Sequence, residues 1–332
     1  MSISGKVPIL SVSLCLISIV LIGISIFIGP APISIADALG ALFVDVGAQT
    51  AIVREIRLPR ALAAWVAGAC LGAAGAGLQG LLRNPLADPG VLGVSAAAAL
   101  GAVLALYFNI AAFAFWVTPV ATILFALAAT VLLYILGAGR VSTARLILIG
   151  VGLSSFCGAL ISLAMNLSPN PFALSDLVNW LFGSVANRSF LDLALAAPFA
   201  AAGAIAVFSA APGLRALTLG EETAATLGAD LVRTRILIIA GSAALVGASV
   251  AIAGAIGFIG IVAPHLVRGL GGHDPARILV PSALLGGAIL VIADLFIRLL
   301  PFDQELKLGV AAALIGAPGF VWIAATTRRI AS

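Results

Sequence analysis

Lysine is nearly missing from this chain. Lysine and arginine together account for 17 of the 332 residues, and the only lysines are Lys6 and Lys307. Neither follows a G-x-x-x-x-G, so a phosphate-cradling loop is excluded, and with it ATP hydrolysis by this chain. Charge of either sign is scarce, at 9% of residues against about 25% in soluble domains. With two histidines and three cysteines, no metal-ligand spacing and no nucleophile–base pair can be assembled, so no catalytic residue is assigned. The chains of buried acids and bases that a proton-driven pump needs are also missing. Cys15, Cys70 and Cys157 lie inside apolar stretches and read as small packing residues.

What is present is apolar: 62% of the residues are hydrophobic. Runs near 20 residues recur, the length that crosses a hydrocarbon layer of about 30 Å. Backbone polar groups in lipid must be satisfied internally, so the fold class is an all-α polytopic membrane protein with the bilayer as its first partner. The run from Val7 to Ile28 is too long for the core of a signal peptide, and no A-x-A site follows. Cutting at polar and Pro/Gly clusters places about ten spans, near 8–29, 58–81, 90–108, 112–136, 143–166, 190–211, 235–255, 258–270, 278–299 and 306–325. Residues 30–57 read as a connecting loop. Residues 168–188 are too polar to span and read as a surface-lying or half-inserted helix on the outer side.

The formal net charge of +4 comes from arginines in short loops, a topology signal rather than a nucleic-acid signature. The loops holding Arg83, Arg140, Arg145, Arg215, Arg233, Arg235, Arg268, Arg277, Arg328 and Arg329 fall on one side. Arg54, Arg57, Arg60, Arg188 and Arg298 fall on the other. The richer side faces the cytoplasm, which puts both termini there. Ala- and Gly-rich runs such as 67–80 and 241–260 suit close helix packing in lipid. Each half of the chain shows a long small-residue span followed by a short one, a faint sign of an inverted five-helix repeat.

The longest polar interruption is Leu214–Arg235. Thr218 and Glu221 have capping-box spacing, Gly228 supplies a left-handed stop, and between them a short helix from about Leu219 to Leu227 is predicted. Its small residues, Gly220, Ala224 and Ala225, would let another backbone approach. Among the rare charges inside spans, Asp294 stands four residues before Arg298 and can pair with it. Arg57 and Arg60 flank Pro59 at a helix start and read as interfacial anchors. His265, next to Pro264, is a gate or packing residue, with a proton relay the sharper alternative. Asn84–Pro85 and Asp88–Pro89 make a rigid turn. Gln79 and Asn166 read as interhelical hydrogen-bonding amides.

Four stretches together carry a resemblance: RLPRALAAWVAGACLGAAGAGLQGLLRNPLADPGVLGVS (57–95), GAIGFIGIVAPHLVR (254–268), LLGGAILVIADLFIR (284–298) and ELKLGVAAALIGAP (305–318). They resemble the FecCD family of ABC importer permeases, which carry iron chelates, haem or vitamin B12. The resemblance implies ten helices in a type II importer bundle, a permease dimer (a homodimer is expected), two cytoplasmic P-loop ATPases that hold ATP and Mg, and a periplasmic solute-binding protein. It implies a bacterial inner-membrane location. The family's coupling helix falls on Leu219, Gly220, Glu221, Glu222, Ala225, Leu227 and Gly228. The outward arginines that meet acidic residues of the binding protein in vitamin B12 carriers fall on Arg57 and Arg298. Asn84, Pro85, Pro264, His265 and Asp294 fall in gate or structural motifs. Lys307 replaces a proline usual in the family, and Gly319 stands where a bulky residue is common. A self-sufficient secondary transporter or channel is the competing reading, and it would need intramembrane ionisable groups for coupling.

Overall fold

The structure is a computed structural model that describes residues 3–45, 47–136, 143–301 and 305–327. Arg140, Arg328 and Arg329 therefore lie outside the described residues. In chain order the helices are α1 (Ile3–Phe27), α2 (Ile35–Phe43), α3 (Ala48–Ala51), α4 (Leu58–Leu82), α5 (Val94–Tyr107), α6 (Val117–Leu136), α7 (Thr143–Asn166), α8 (Pro171–Leu181), α9 (Phe190–Ser209), α10 (Ala211–Leu217), α11 (Glu221–Thr226), α12 (Leu231–Ala253), α13 (Ile259–Gly271), α14 (Leu279–Leu299) and α15 (Leu308–Thr327). No strand occurs among the described residues.

Among those residues, seven helical stretches are long and apolar enough to cross a membrane: Val7–Phe27, Ala48–Leu82, Val117–Leu136, Arg145–Asn166, Phe190–Ser209, Leu231–Ala253 and Leu279–Leu299. Three shorter apolar helices, Val94–Tyr107, Ile259–Gly271 and Leu308–Gly319, coincide with the remaining expected spans. The chain is a membrane protein.

α4 and α12 are buried nearly all round, while α1, α7 and α9 expose most of their apolar surface, as helices in contact with hydrocarbon do. The centre is held by small residues. A Cβ on Gly68 would stand 2.2 Å from the Gly286 carbonyl oxygen, so α4 and α14 touch backbone to backbone. Gln79 meets its expectation, donating through Nε2 to the Gly260 carbonyl at 3.1 Å and joining α4 to α13. Asn166 does not, because it lies exposed at the end of α7.

Residues 30–57 are more than a loop. Ser34 caps α2 by accepting from the Asp37 N–H, and α3 continues through a π-helical turn, Ile52–Arg57, directly into α4. Pro59 has no N–H for the carbonyl four residues back, and the wider π turn accommodates that gap without ending the helix. Proline read as a start signal, whereas here it is a passenger. In the 168–188 segment, Asn170 caps α8 by accepting from Ala173 N–H; with 11 residues the helix is too short to span. The chain then turns at Gly183 so that Ser184 N–H reaches the Ala253 carbonyl.

Candidate coupling lever and arginine cluster

The expected site residues sort to two opposite ends of α4, whose 25 residues at 1.5 Å each separate them by roughly 37 Å.

At one end, α9 breaks after Ser209 and restarts as α10, which drives Leu214 and Leu217 into the core. α11 follows. Its predicted capping box does not form: the Thr218 hydroxyl donates to the Arg215 carbonyl, and Gly220 occupies the N-cap at φ 97° with no side-chain cap. The competing local bond wins because a hydroxyl one turn beyond a carbonyl can satisfy that carbonyl directly. The helix is accordingly shorter than expected. Gly228 does act as the stop, at φ 80°, and the Ala229 N–H closes on the Ala224 carbonyl at 3.0 Å in a Schellman arrangement. Both glycines sit where an L side chain is strained.

The faces of α11 are also not as expected. Ala224 is fully buried and turns toward the bundle. Leu219 and Leu227 are 58% and 67% exposed, and Glu222, Ala225 and Gly228 are exposed beside them. Glu221 accepts from Arg235 at 3.3 Å, tying α11 to α12. A narrow cleft lined by Leu81, Leu82, Leu146, Leu217, Leu231 and this pair seats the unit over the ends of α4, α7 and α12. Leu219 and Leu227 flank α11 at its two ends, and their exposed side chains leave an apolar surface beside the cleft.

The turn after α4 lies near this end. Asn84 Oδ1 accepts from Leu86 N–H at 2.9 Å, and Asp88 Oδ1 accepts from Gly90 N–H at 2.7 Å, as the Asn-Pro and Asp-Pro pairs predict. Burial pushes the Asp88 carboxyl above its ordinary range, and the Gly90 bond pulls it partly back. Ser154 on α7 donates to the Gly90 carbonyl, which locks the turn in place. Pro264 is buried within α13, and His265 beside it is half-buried with no hydrogen bond among the described residues.

At the other end lies a charge cluster only half anticipated. Asp294, 1% exposed, accepts from Arg298 at 2.6 Å, which is the predicted intrahelical pair. It also accepts from Arg60 at 2.7 Å, and Arg60 bonds Glu305 ahead of α15 as well. Arg60 thus links α4 to α14 and α15, a role that sequence spacing gave no sign of. Asp294 belongs to this cluster, and no bond joins it to the 84–90 turn or to His265 among the described residues.

Arg57 and Arg298, expected to meet a binding protein, turn inward in this chain: both side chains are 3% exposed. Arg57 donates to the Ile26 carbonyl at 2.8 Å, to Phe27 at 3.2 Å and to Ala31. Arg298 donates to the Ser25 and Ile28 carbonyls at 3.1 and 2.9 Å and to the Ser25 hydroxyl. The last carbonyls of a helix have no intrahelical partner and carry its negative dipole end. The two guanidiniums supply what the end of α1 lacks.

The four sequence stretches agree with the comparison against known families. A model of the FecCD transport family matches residues 16–326. The chain belongs to the FecCD transport family. It is similar to the uncharacterized ABC transporter permease protein YvrB of Bacillus subtilis, at 40% identity over 289 residues, covering 86% of this chain and 81% of that one. It is similar to the vitamin B12 import system permease protein BtuC of Vibrio cholerae, at 43% identity over 279 residues and 82% of each chain. A solved inward-facing structure of an ABC transporter, described as metal-chelate type, superposes with a TM-score of 0.86 at 32% identity, covering 96% of this chain and 99% of that one. As a FecCD member, the chain is the permease component of an ABC transporter and works within a complex that includes ATPase and permease partners.

Proposed function

We propose that this FecCD permease imports a metal chelate into the cytoplasm, a ferric siderophore foremost, with haem and cobalamin as the other members of the class. Two copies enclose the pathway in the inner membrane, with both termini in the cytoplasm. Two P-loop ATPases that bind ATP and Mg press on Leu219, Gly220, Glu221, Glu222, Ala225, Leu227 and Gly228. A periplasmic solute-binding protein delivers the cargo at the arginine end. The observation that carries this reading is the exposed Leu219 and Leu227 flanking α11, in a segment rooted in the core by Leu214 and Leu217 of α10 and Ala224 of α11. A push on that surface reaches α4 and α12 without passing through a loose loop.

The chain supplies no energy of its own, so it needs two packings close in free energy that the ATPases bias. Walls of alanine and glycine suit passage of a large solute without a tight intramembrane site. In this reading Arg57 and Arg298 shape the docking surface by fixing the end of α1, and they do not reach across the interface. Reconstitution with ATPase and binding-protein subunits, using labelled ferric siderophore and cobalamin in parallel, tests it. Uptake that requires nucleotide and all subunits is expected. Chelate crossing vesicles that hold this chain alone, without nucleotide, would instead establish a channel or secondary transporter.

A further inference from the structure

An apolar groove of about 290 Å3 opens between α4, α9, α12 and α14. It is lined by Trp65, Ala69 and Ala73 of α4, Ala204 and Phe208 of α9, and Val280 of α14. Every helix that bounds it lies within a candidate membrane span, and no polar atom reaches its surface. Charged residues stand beyond it, toward the lever end of α4. Leu214 and Pro275 both close on Gly80, at 3.4 and 3.1 Å from the place a Cβ there would take, which brings α10 and the turn before α14 together. Gly80 is seven residues beyond Ala73, about 10 Å along α4. At that junction Arg215 and Arg277 share a single acceptor, Asp274 Oδ2, at 3.0 and 3.4 Å.

The shared carboxylate leaves one net positive charge. Each arginine approaches it most closely through Nε, and no hydrogen bond from a terminal nitrogen of either guanidinium, on side chains 57% and 40% exposed, occurs among the described residues. That pair of forks matches phosphate oxygens. An apolar slot in hydrocarbon, ending roughly 10 Å below a cationic fork, has the dimensions and polarity of a phospholipid, chain down and phosphate up.

We propose that groove and arginines together hold one anionic phospholipid in the lever-side leaflet, its acyl chain along Ala69–Ala73 and its phosphate on Arg215 and Arg277. The proposal is independent of the cargo and rests only on the chain spanning a bilayer. The test is native mass spectrometry of the full chain from mixed micelles, with phosphatidylglycerol and phosphatidylcholine of equal chain length as competing probes. One net cation at a membrane surface corresponds to about a fivefold preference for the anionic probe. Arg215→Gln with Arg277→Gln should remove that preference while lipid is still retained. Ala204→Phe, which fills the groove from its rim, should cut retention of both probes.

Chain-brominated phosphatidylglycerol should quench tryptophan emission in the unmodified protein, and less so in Trp65→Phe. Equal retention of the two probes, or a preference that survives the double substitution, would overturn the proposal. So would retention unaffected by Ala204→Phe.

Discussion

The two ends of α4 use charge in opposite ways. At the arginine end three guanidiniums are turned inward: Arg57 and Arg298 onto the open carbonyls of α1, Arg60 onto Asp294 and Glu305. At the lever end the ion pairs around α10 and α11 are exposed and loosely held, as in Arg235–Glu221 and Arg215–Asp274. Burial explains the difference. A charge withdrawn from water needs partners, and although Arg298 Nε has none among the described residues, Arg57, Arg60 and Arg298 each hold several, so the arginine end is fixed and structural. An exposed pair contributes about 0–1 kcal/mol, so the lever end can trade its partners for another protein's.

The largest expected effect comes from breaking the fixed end. Asp294→Ala leaves Arg60 and Arg298 facing each other in a buried site, and removing one partner of a buried pair costs about 3–5 kcal/mol. A large drop in melting temperature in detergent is expected. Arg298→Ala should follow the same pattern. If instead it melts normally and only weakens binding-protein affinity in a salt-sensitive way, the arginine is a docking residue and the comparison between the ends fails.

Gly68→Ala should come next, since its methyl would meet the Gly286 carbonyl 2.2 Å away. Overpacking of this kind costs roughly 1–3 kcal/mol or more, read as a lower melting temperature and poorer recovery of folded protein.

At the lever end the same measurement should scarcely move. Glu222→Arg with Ala225→Trp changes exposed positions, where stability effects stay within about 0.5 kcal/mol. Coupled ATPase activity and uptake should nonetheless be lost. Unchanged uptake would remove α11 from the coupling role.

The smallest effect concerns Asp88. Its carboxyl is held above the ordinary range by burial, so the folded state favours the protonated form. The stability this gives is present at low pH and declines as pH rises through the carboxylate range. Asp88→Asn keeps the acceptor for Gly90 and should melt slightly higher at neutral pH, with the gain shrinking as pH falls. A gain that stays constant with pH would show that the carboxylate does not titrate there.

Much of this was legible in the chain. Apolar run length located the spanning helices because hydrocarbon thickness imposes it, and Gly228 marked the end of α11 because only backbone freedom can place a residue at positive φ without cost. The i,i+4 spacing gave Asp294–Arg298, since neighbouring turns of one helix bring such positions together whatever the fold. The partners supplied by distant segments were not legible. Nothing in the neighbourhood of Arg57 reveals that it reaches the end of α1, and nothing near Arg60 points to Asp294, 234 residues later. The failed capping box at Thr218 belongs to the same class, because two local bonds of similar strength compete and the packing of α10 chooses between them.

Composition and spacing by themselves determined that this is a greasy helical shell without a nucleotide-cradling loop, and its four motif stretches placed it in its family. Those properties are set by chain length against membrane thickness and by residues near one another in sequence. Which charges are fixed and which are free was decided only by the tertiary structure. A charge is stabilised by whatever surrounds it in space, and for the arginines of this protein those surroundings come from the ends of other helices.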